Sequence, residues 1–159
     1  MACCWSNRVE VCYFYSADIR DLNRQSRAAI INAGVSKGRN VLITGAGGGV
    51  ALLAVQLSVA KGANVFVTSG SDEKIQKLLP FGIRGGVNYR HSEQSPLRVC
   101  YVSNLIYCYT EDWHVKLGSL LEKENSGLLD AVIDSAGRDI VEKTLKLLKP
   151  GGKIVAYGM

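Results

Sequence analysis

"VLITGAGGGVALLAVQL", residues 41–57, passes from a β-branched apolar stretch through clustered glycines into a long apolar segment. A strand that turns sharply into a helix leaves free N–H groups and the positive end of the helix dipole at the turn, where an anion is stabilised. Glycines let a diphosphate approach that backbone, and they also permit a tight turn with positive φ. Two registers are available. Gly45-x-Gly47-x-x-Val50 lacks the small last residue that close helix-to-strand packing wants, whereas Ala46-x-Gly48-x-x-Ala51 fits a variant with alanine at both ends. Taken alone, such a turn is also what a structural loop that binds nothing looks like.

The surroundings favour a nucleotide. The turn follows the strand VLIT (Val41 to Thr44), opens an apolar helix and leads to a second strand, NVFVTS (Asn64 to Ser69), in a βαβ unit of about 30 residues. GGVNY (Gly85 to Tyr89), DAVIDS (Asp130 to Ser135) and KIVAYG near the end read as further strands, short and apolar on both faces like those of a covered parallel sheet. Helices are expected between them. Ser71 is placed to cap one that begins with Asp72 and Glu73, carries Ile75, Leu78 and Leu79 on one stripe and ends at Pro80 and Gly82. Another, from Asp139 to Leu148, sets Val141, Leu145 and Leu148 against Glu142, Lys143 and Lys146, and Pro150-Gly151-Gly152 stops it. The alternation predicts an α/β fold: a Rossmann-like, doubly wound parallel sheet of about five strands over residues 28–159. Residues 1–27 stay unplaced. Residues 91–111 form an atypically long insert, whose Val99 to Tyr109 core has the β propensity of an added strand or of an exposed, aggregation-prone loop.

With 159 residues, 47% of them hydrophobic, and three prolines, the chain can bury one substantial core. A net charge of +5 suits anionic ligands, yet the lysines form no stripe or arm, which argues against nucleic acid. Five cysteines without framework spacing, and no secretory segment, point to free thiols in a reducing, cytoplasmic setting. The longest apolar run carries Gln56 and Ser58 and closes at Lys61-Gly62, too short for a bilayer.

The end of the second strand selects the nucleotide. An acidic side chain there would bond a ribose 2′-OH and repel a 2′-phosphate. Here stand Ser69-Gly70-Ser71, with Lys74 one helical turn on, so NADP(H) is expected rather than NAD(H). Asp72 leaves the alternative open, as a carboxylate that reaches a 2′-OH.

TGAGGGVALLAVQLSVAKGANVFVTSGSDEKI, then GGVNYR, LLDAVIDSAG and LKLLKPGGKIVAYGM, together resemble the coenzyme-binding domain of medium-chain dehydrogenases/reductases, the superfamily of zinc-type alcohol dehydrogenases and quinone oxidoreductases. The resemblance covers about residues 27–90 and 112–159. It implies that Gly48, Gly49 and Val50 lie along the pyrophosphate, that Gly70 and Lys74 border the adenosine 2′-phosphate, and that Tyr89 flanks that phosphate or the adenine. Ser135-Ala136-Gly137 and Gly158 would approach the nicotinamide. Tyr89 reads equally as an aromatic packed on the sheet end.

The resemblance also implies a preceding GroES-like domain, which supplies catalytic zinc ligands or substrate-binding groups, and a sixth strand after the fifth. Cys3-Cys4, Cys12, His91 and His114 lack metal-site spacing, so neither zinc nor a catalytic residue is expected in this chain. His114 reads as a surface or capping residue. The expectation is a truncated domain that binds the coenzyme, with hydride transfer to a carbonyl, quinone or enone left to a complete homologue. Its open sheet edge would favour self-association. Removing residues 91–111 would restore an ordinary family join, as though the insert, and with it the N-terminus, came from a gene-model error. LKPGG before a terminal strand also occurs in methyltransferases using S-adenosylmethionine, against which Ser69 counts. A non-catalytic nucleotide-binding or interaction fragment is the third reading. Short-chain dehydrogenases fall away, because no tyrosine has lysine four positions later.

Overall fold

A computed structural model describes residues 2–6, 9–14, 22–90, 100–102, 105–107, 113–135 and 140–157. In chain order these form β1 (Ala2–Ser6), β2 (Val9–Phe14), α1 (Leu22–Asn32), β3 (Asn40–Ile43), α2 (Gly49–Ala60), β4 (Asn64–Ser69) and α3 (Asp72–Leu78). A 3-10 turn (Leu79–Phe81) leads to β5 (Gly85–Asn88), then β6 (Cys100–Val102), β7 (Leu105–Tyr107), α4 (Trp113–Lys123), β8 (Leu129–Asp134), α5 (Ile140–Leu145) and β9 (Leu148–Tyr157).

Strands with no polar face are stable only when both sides are covered. Val41 and Ile43 of β3, Val65 and Val67 of β4, and Val155 of β9 face one cluster with Ile30, Ala54 and Val55. Leu42, Phe66, Val132 and Ile154 point the other way, into a second cluster with Trp113, Leu117 and Leu121 of α4. The five expected strands therefore lie in the order β9-β8-β3-β4-β5, all parallel, between two helical layers. No helix among the described residues is long and apolar enough to cross a membrane.

Among the described residues two further strands extend this five-stranded sheet to seven. Next to β9 lies β2, paired in parallel from Val9↔Gly152 to Phe14↔Tyr157, and β1 continues antiparallel beside it. The edge beyond the fifth expected strand, expected to stay open, is thus occupied from within the chain, and the outer edges belong to β1 and β5. Within the insert, β6 and β7 pair antiparallel in a separate two-stranded sheet and add nothing to the main one.

Two helices differ from their sequence reading. α5 stops at Leu145 and buries Ile140 and Thr144, with the Thr144 hydroxyl donating to Ile140 O at 2.7 Å, while Leu145 is exposed. Leu148 already belongs to β9, which runs on through Pro150-Gly151-Gly152. Leu129 pairs with Leu148 but Ala131 with Lys153, so residues 149–152 bulge from the ladder, Gly151 at φ 79°. Lys149 clamps the bulge to Asp130 at 2.9 Å. In α3, Leu79 falls off the buried stripe into the 3-10 turn and is exposed.

Phe66 is fully buried in the α4-side cluster. Phe66→Ala should lower the unfolding free energy by about 3–5 kcal/mol, read from urea denaturation.

Candidate functional site

The glycine turn is anchored by β8. Thr44, the residue after β3, donates its hydroxyl to buried Asp134 at 2.5 Å and accepts the Ser135 N–H at 3.0 Å. Ser135 returns a bond from its own hydroxyl to Thr44 O at 3.2 Å. These bonds tie the carboxyl ends of the two central strands together at the point where the chain leaves for the turn.

The four glycine positions of the turn have different reasons to be glycine. Gly45 has φ 65°, and a Cβ on it would lie 2.5 Å from Ser135 Oγ, so the fold itself excludes a side chain. At Gly49 a Cβ would meet Leu22 of α1 at 2.8 Å. At Gly47 it would meet only the flexible end of Lys74, with Nζ at 3.0 Å. Gly48 is different. It has φ −90° and ψ 151°, open to any residue, and a Cβ there would have no neighbour closer than Gly45 O at 3.6 Å. Neither conformation nor packing asks for glycine at 48. It is also the N-cap of α2, where it offers no side-chain cap, so the first-turn N–H groups of Gly49, Val50 and Ala51 stay available to a ligand.

Facing the turn is the end of β4. Gly48, Ser69, Gly70, Lys74 and Tyr89 share one cavity of about 240 Å³ with Gly45, Gly47, Ser71 and Arg90. Five of the expected coenzyme residues are thereby brought together. Gly49 and Val50 sit behind them in the first turn of α2, with the Val50 carbonyl accepting a 2.9 Å bond from Ser26 Oγ of α1. Ser135 lies on the far side of Gly45. Ala136, Gly137, Gly158 and His91 fall outside the described residues.

Ser71 does stand at the N-cap of α3 in extended conformation, but its hydroxyl makes no capping bond, contrary to the expectation. Asp72 accepts a 3.0 Å bond from the Asn88 amide and lines a neighbouring cavity with Asn88, Arg90 and Lys116, away from the glycine turn. Sequence reasoning missed Arg90. Its signal was a cation directly after the Asn-Tyr pair, but only the pairing of β4 with β5 carries it over Gly70.

Asp134 pairs with Ala156, which sets Ser135 and Tyr157 side by side one step on. The Tyr157 hydroxyl is buried with no group at hydrogen-bond geometry among the described residues. Burial pushes this phenol up to about 12; nearby Ser135 opposes the rise and the Asp134 charge adds to it. His114, expected as a surface or capping residue, is half-buried, edge-on to Trp113 with ring centroids 6.1 Å apart. No three His, Cys, Asp or Glu side chains gather as a metal site among the described residues.

The sequence profile of zinc-binding dehydrogenases matches residues 49–159, from the first residue of α2 onward. The chain belongs to the zinc-binding dehydrogenase family. Within the medium-chain dehydrogenases/reductases, the match falls on the coenzyme-binding domain. The chain is similar to a zinc-type alcohol dehydrogenase-like protein, YogA, of Leptosphaeria maculans, 46% identical over 134 residues, which are 84% of this chain and 32% of that protein. The quinone oxidoreductase of Mus musculus is 27% identical over 83% of this chain and 34% of its own. Among solved structures, an NAD-dependent alcohol dehydrogenase superposes with TM-score 0.65 at 25% identity, over 89% of this chain and 35% of that one. The CurK enoyl reductase follows at TM-score 0.62 and 25% identity, over 85% and 35%. The chain thus spans about a third of the length of these relatives. This membership overturns the methyltransferase reading of LKPGG.

Two outcomes follow for the site. Gly45→Ala should cost about 1–3 kcal/mol of stability and Gly48→Ala no more than about 1, compared by urea denaturation. For Tyr157 the folded state holds its proton more tightly than the unfolded chain, whose value is 10.0, so its contribution to stability is complete below pH 10 and is lost as pH rises toward about 12. The loss amounts to about 3 kcal/mol at most. Tyr157→Phe should remove that part of the alkaline fall while leaving stability at pH 7 unchanged or raised, measured by denaturation in steps across this range.

Proposed function

We propose that this chain binds NADP(H) and serves as the coenzyme-binding domain of an oxidoreductase that transfers hydride between the nicotinamide and a carbonyl, quinone or enone. The observation that carries the reading is Gly48. A residue that the fold does not require to be glycine, at the N-terminus of a 12-residue helix whose N–H groups have no side-chain cap, leaves the space a pyrophosphate needs. The quinone oxidoreductase and enoyl reductase among the similar proteins support the substrate classes.

Gly49 and Val50 would present their N–H groups to the bridging phosphates, and Lys74, leaning over Gly47, would add a cation beside them. Ser69, Gly70 and Tyr89 would border the adenosine ribose. Among the described residues no acidic side chain lines this cavity, and the nearby carboxylate of Asp72 is held by Asn88, which supports a 2′-phosphate over a bare 2′-OH. Ser135, fastened to Thr44 at the strand end, would bound the nicotinamide side. When bound, the nicotinamide supplies the hydride chemistry; this chain's share is to hold and orient it. Irregular cysteine spacing supports a cytoplasmic setting for this reaction.

Titration of the full chain by coenzyme fluorescence should give tighter binding of NADPH than of NADH; equal or tighter NADH binding overturns the coenzyme assignment. Gly48→Ala should weaken both by about tenfold without a matching loss of stability. A variant that binds as well as the parent would remove the pyrophosphate from this turn.

A further inference from the structure

Two cations face the shared cavity, and they occupy different parts of it. The Lys74 side chain runs back across the glycine turn: a Cβ on Gly47 would stand 3.0 Å from its Nζ and 3.4 Å from its Cδ. The Arg90 side chain crosses the end of β4 instead, where a Cβ on Gly70 would stand 2.7 Å from Nε and 3.2 Å from Cζ. Lys74 therefore lies toward the diphosphate end of the site, and Arg90 at the strand end where a ribose hydroxyl is read.

Asn88 fixes the backbone that carries this arginine. Its side-chain oxygen accepts the Arg90 backbone N–H at 2.9 Å, while its amide donates to Asp72 at 3.0 Å. The Tyr89 N–H donates to Ser69 O at 3.0 Å, which extends the β4 to β5 ladder to the residue before Arg90. One side chain thus shapes the turn that carries the arginine and occupies the Asp72 carboxylate, which lines the neighbouring cavity with it. Arg90 lines both the coenzyme cavity and its neighbour, so its guanidinium forms the wall between them.

We propose that Arg90, rather than Lys74, is the side chain by which this chain distinguishes a 2′-phosphorylated dinucleotide from an unphosphorylated one. The inference rests on the coenzyme reading above and alters its division of labour. A planar guanidinium places two parallel N–H donors on a phosphate, whereas an ammonium acts as a point charge that serves the diphosphate of either coenzyme equally. Gly70 belongs to the same device, because a side chain there would displace the arginine.

The test compares dissociation constants of NADPH and NADH for the full chain and for its Arg90→Gln and Lys74→Gln variants. Both side chains are exposed, and matching far-UV circular dichroism verifies the fold. In Arg90→Gln the preference for NADPH should fall by about tenfold or more with NADH affinity held within about twofold, while Lys74→Gln should weaken both coenzymes alike and keep the preference. A preference lost in Lys74→Gln and kept in Arg90→Gln, or lost equally in both, overturns the proposal. A parent chain that prefers NADPH, with Arg90→Gln unchanged, defeats the arginine and spares the coenzyme reading. A parent chain without that preference defeats the reading itself.

Discussion

The bonds among Thr44, Asp134 and Ser135 are the constraint on which the rest of the site depends. They join residues ninety positions apart at the carboxyl end of the sheet, in a place where the backbone ladder between β3 and β8 is running out. A hydroxyl donates to the buried carboxylate there, and the same hydroxyl accepts the next N–H of β8. With both strand ends held, Gly45 has a single path into the turn, past Ser135, and the start of α2 is aimed at the open end of the sheet. The turn is a consequence of that join as much as of its glycines.

Sidedness follows from the same sheet. α1, α2 and α3 pack on the face of Ile43 and Val67, while α4 and α5 cover Leu42, Phe66 and Val132. The strand order reverses between β3 and β8, the kind of place where an open sheet forms a ligand crevice. The cavity with Gly48, Gly70 and Lys74 lies beside that point, at the carboxyl ends of β3 and β4. An anion there would meet backbone N–H groups and two cationic side chains, with Asp72 held by Asn88 in the neighbouring cavity.

Much of this was legible before any coordinates. The five central strands could be found because each is apolar on both faces, a local property that periodicity reports. The N-terminal strands could not. Val9–Phe14 has no clean alternation, and what makes it a strand is β9, whose edge it completes from the opposite end of the chain. The last helix is shorter than its sequence spacing suggests for a related reason. Leu145 and Leu148 have helical spacing, yet Leu148 is claimed by Leu129 across the sheet, and the proline and glycines that looked like a helix stop are a strand bulge.

From residues alone came the α/β class, the βαβ unit around the glycine turn and the nucleotide expectation, because strand burial and backbone freedom are written in contiguous stretches. Tertiary structure decided which glycine is free of the fold, which cation stands over the strand end, and that Asp72 is engaged elsewhere. Those are facts of distance between side chains on different strands, set by register, and register is an outcome of packing the whole sheet.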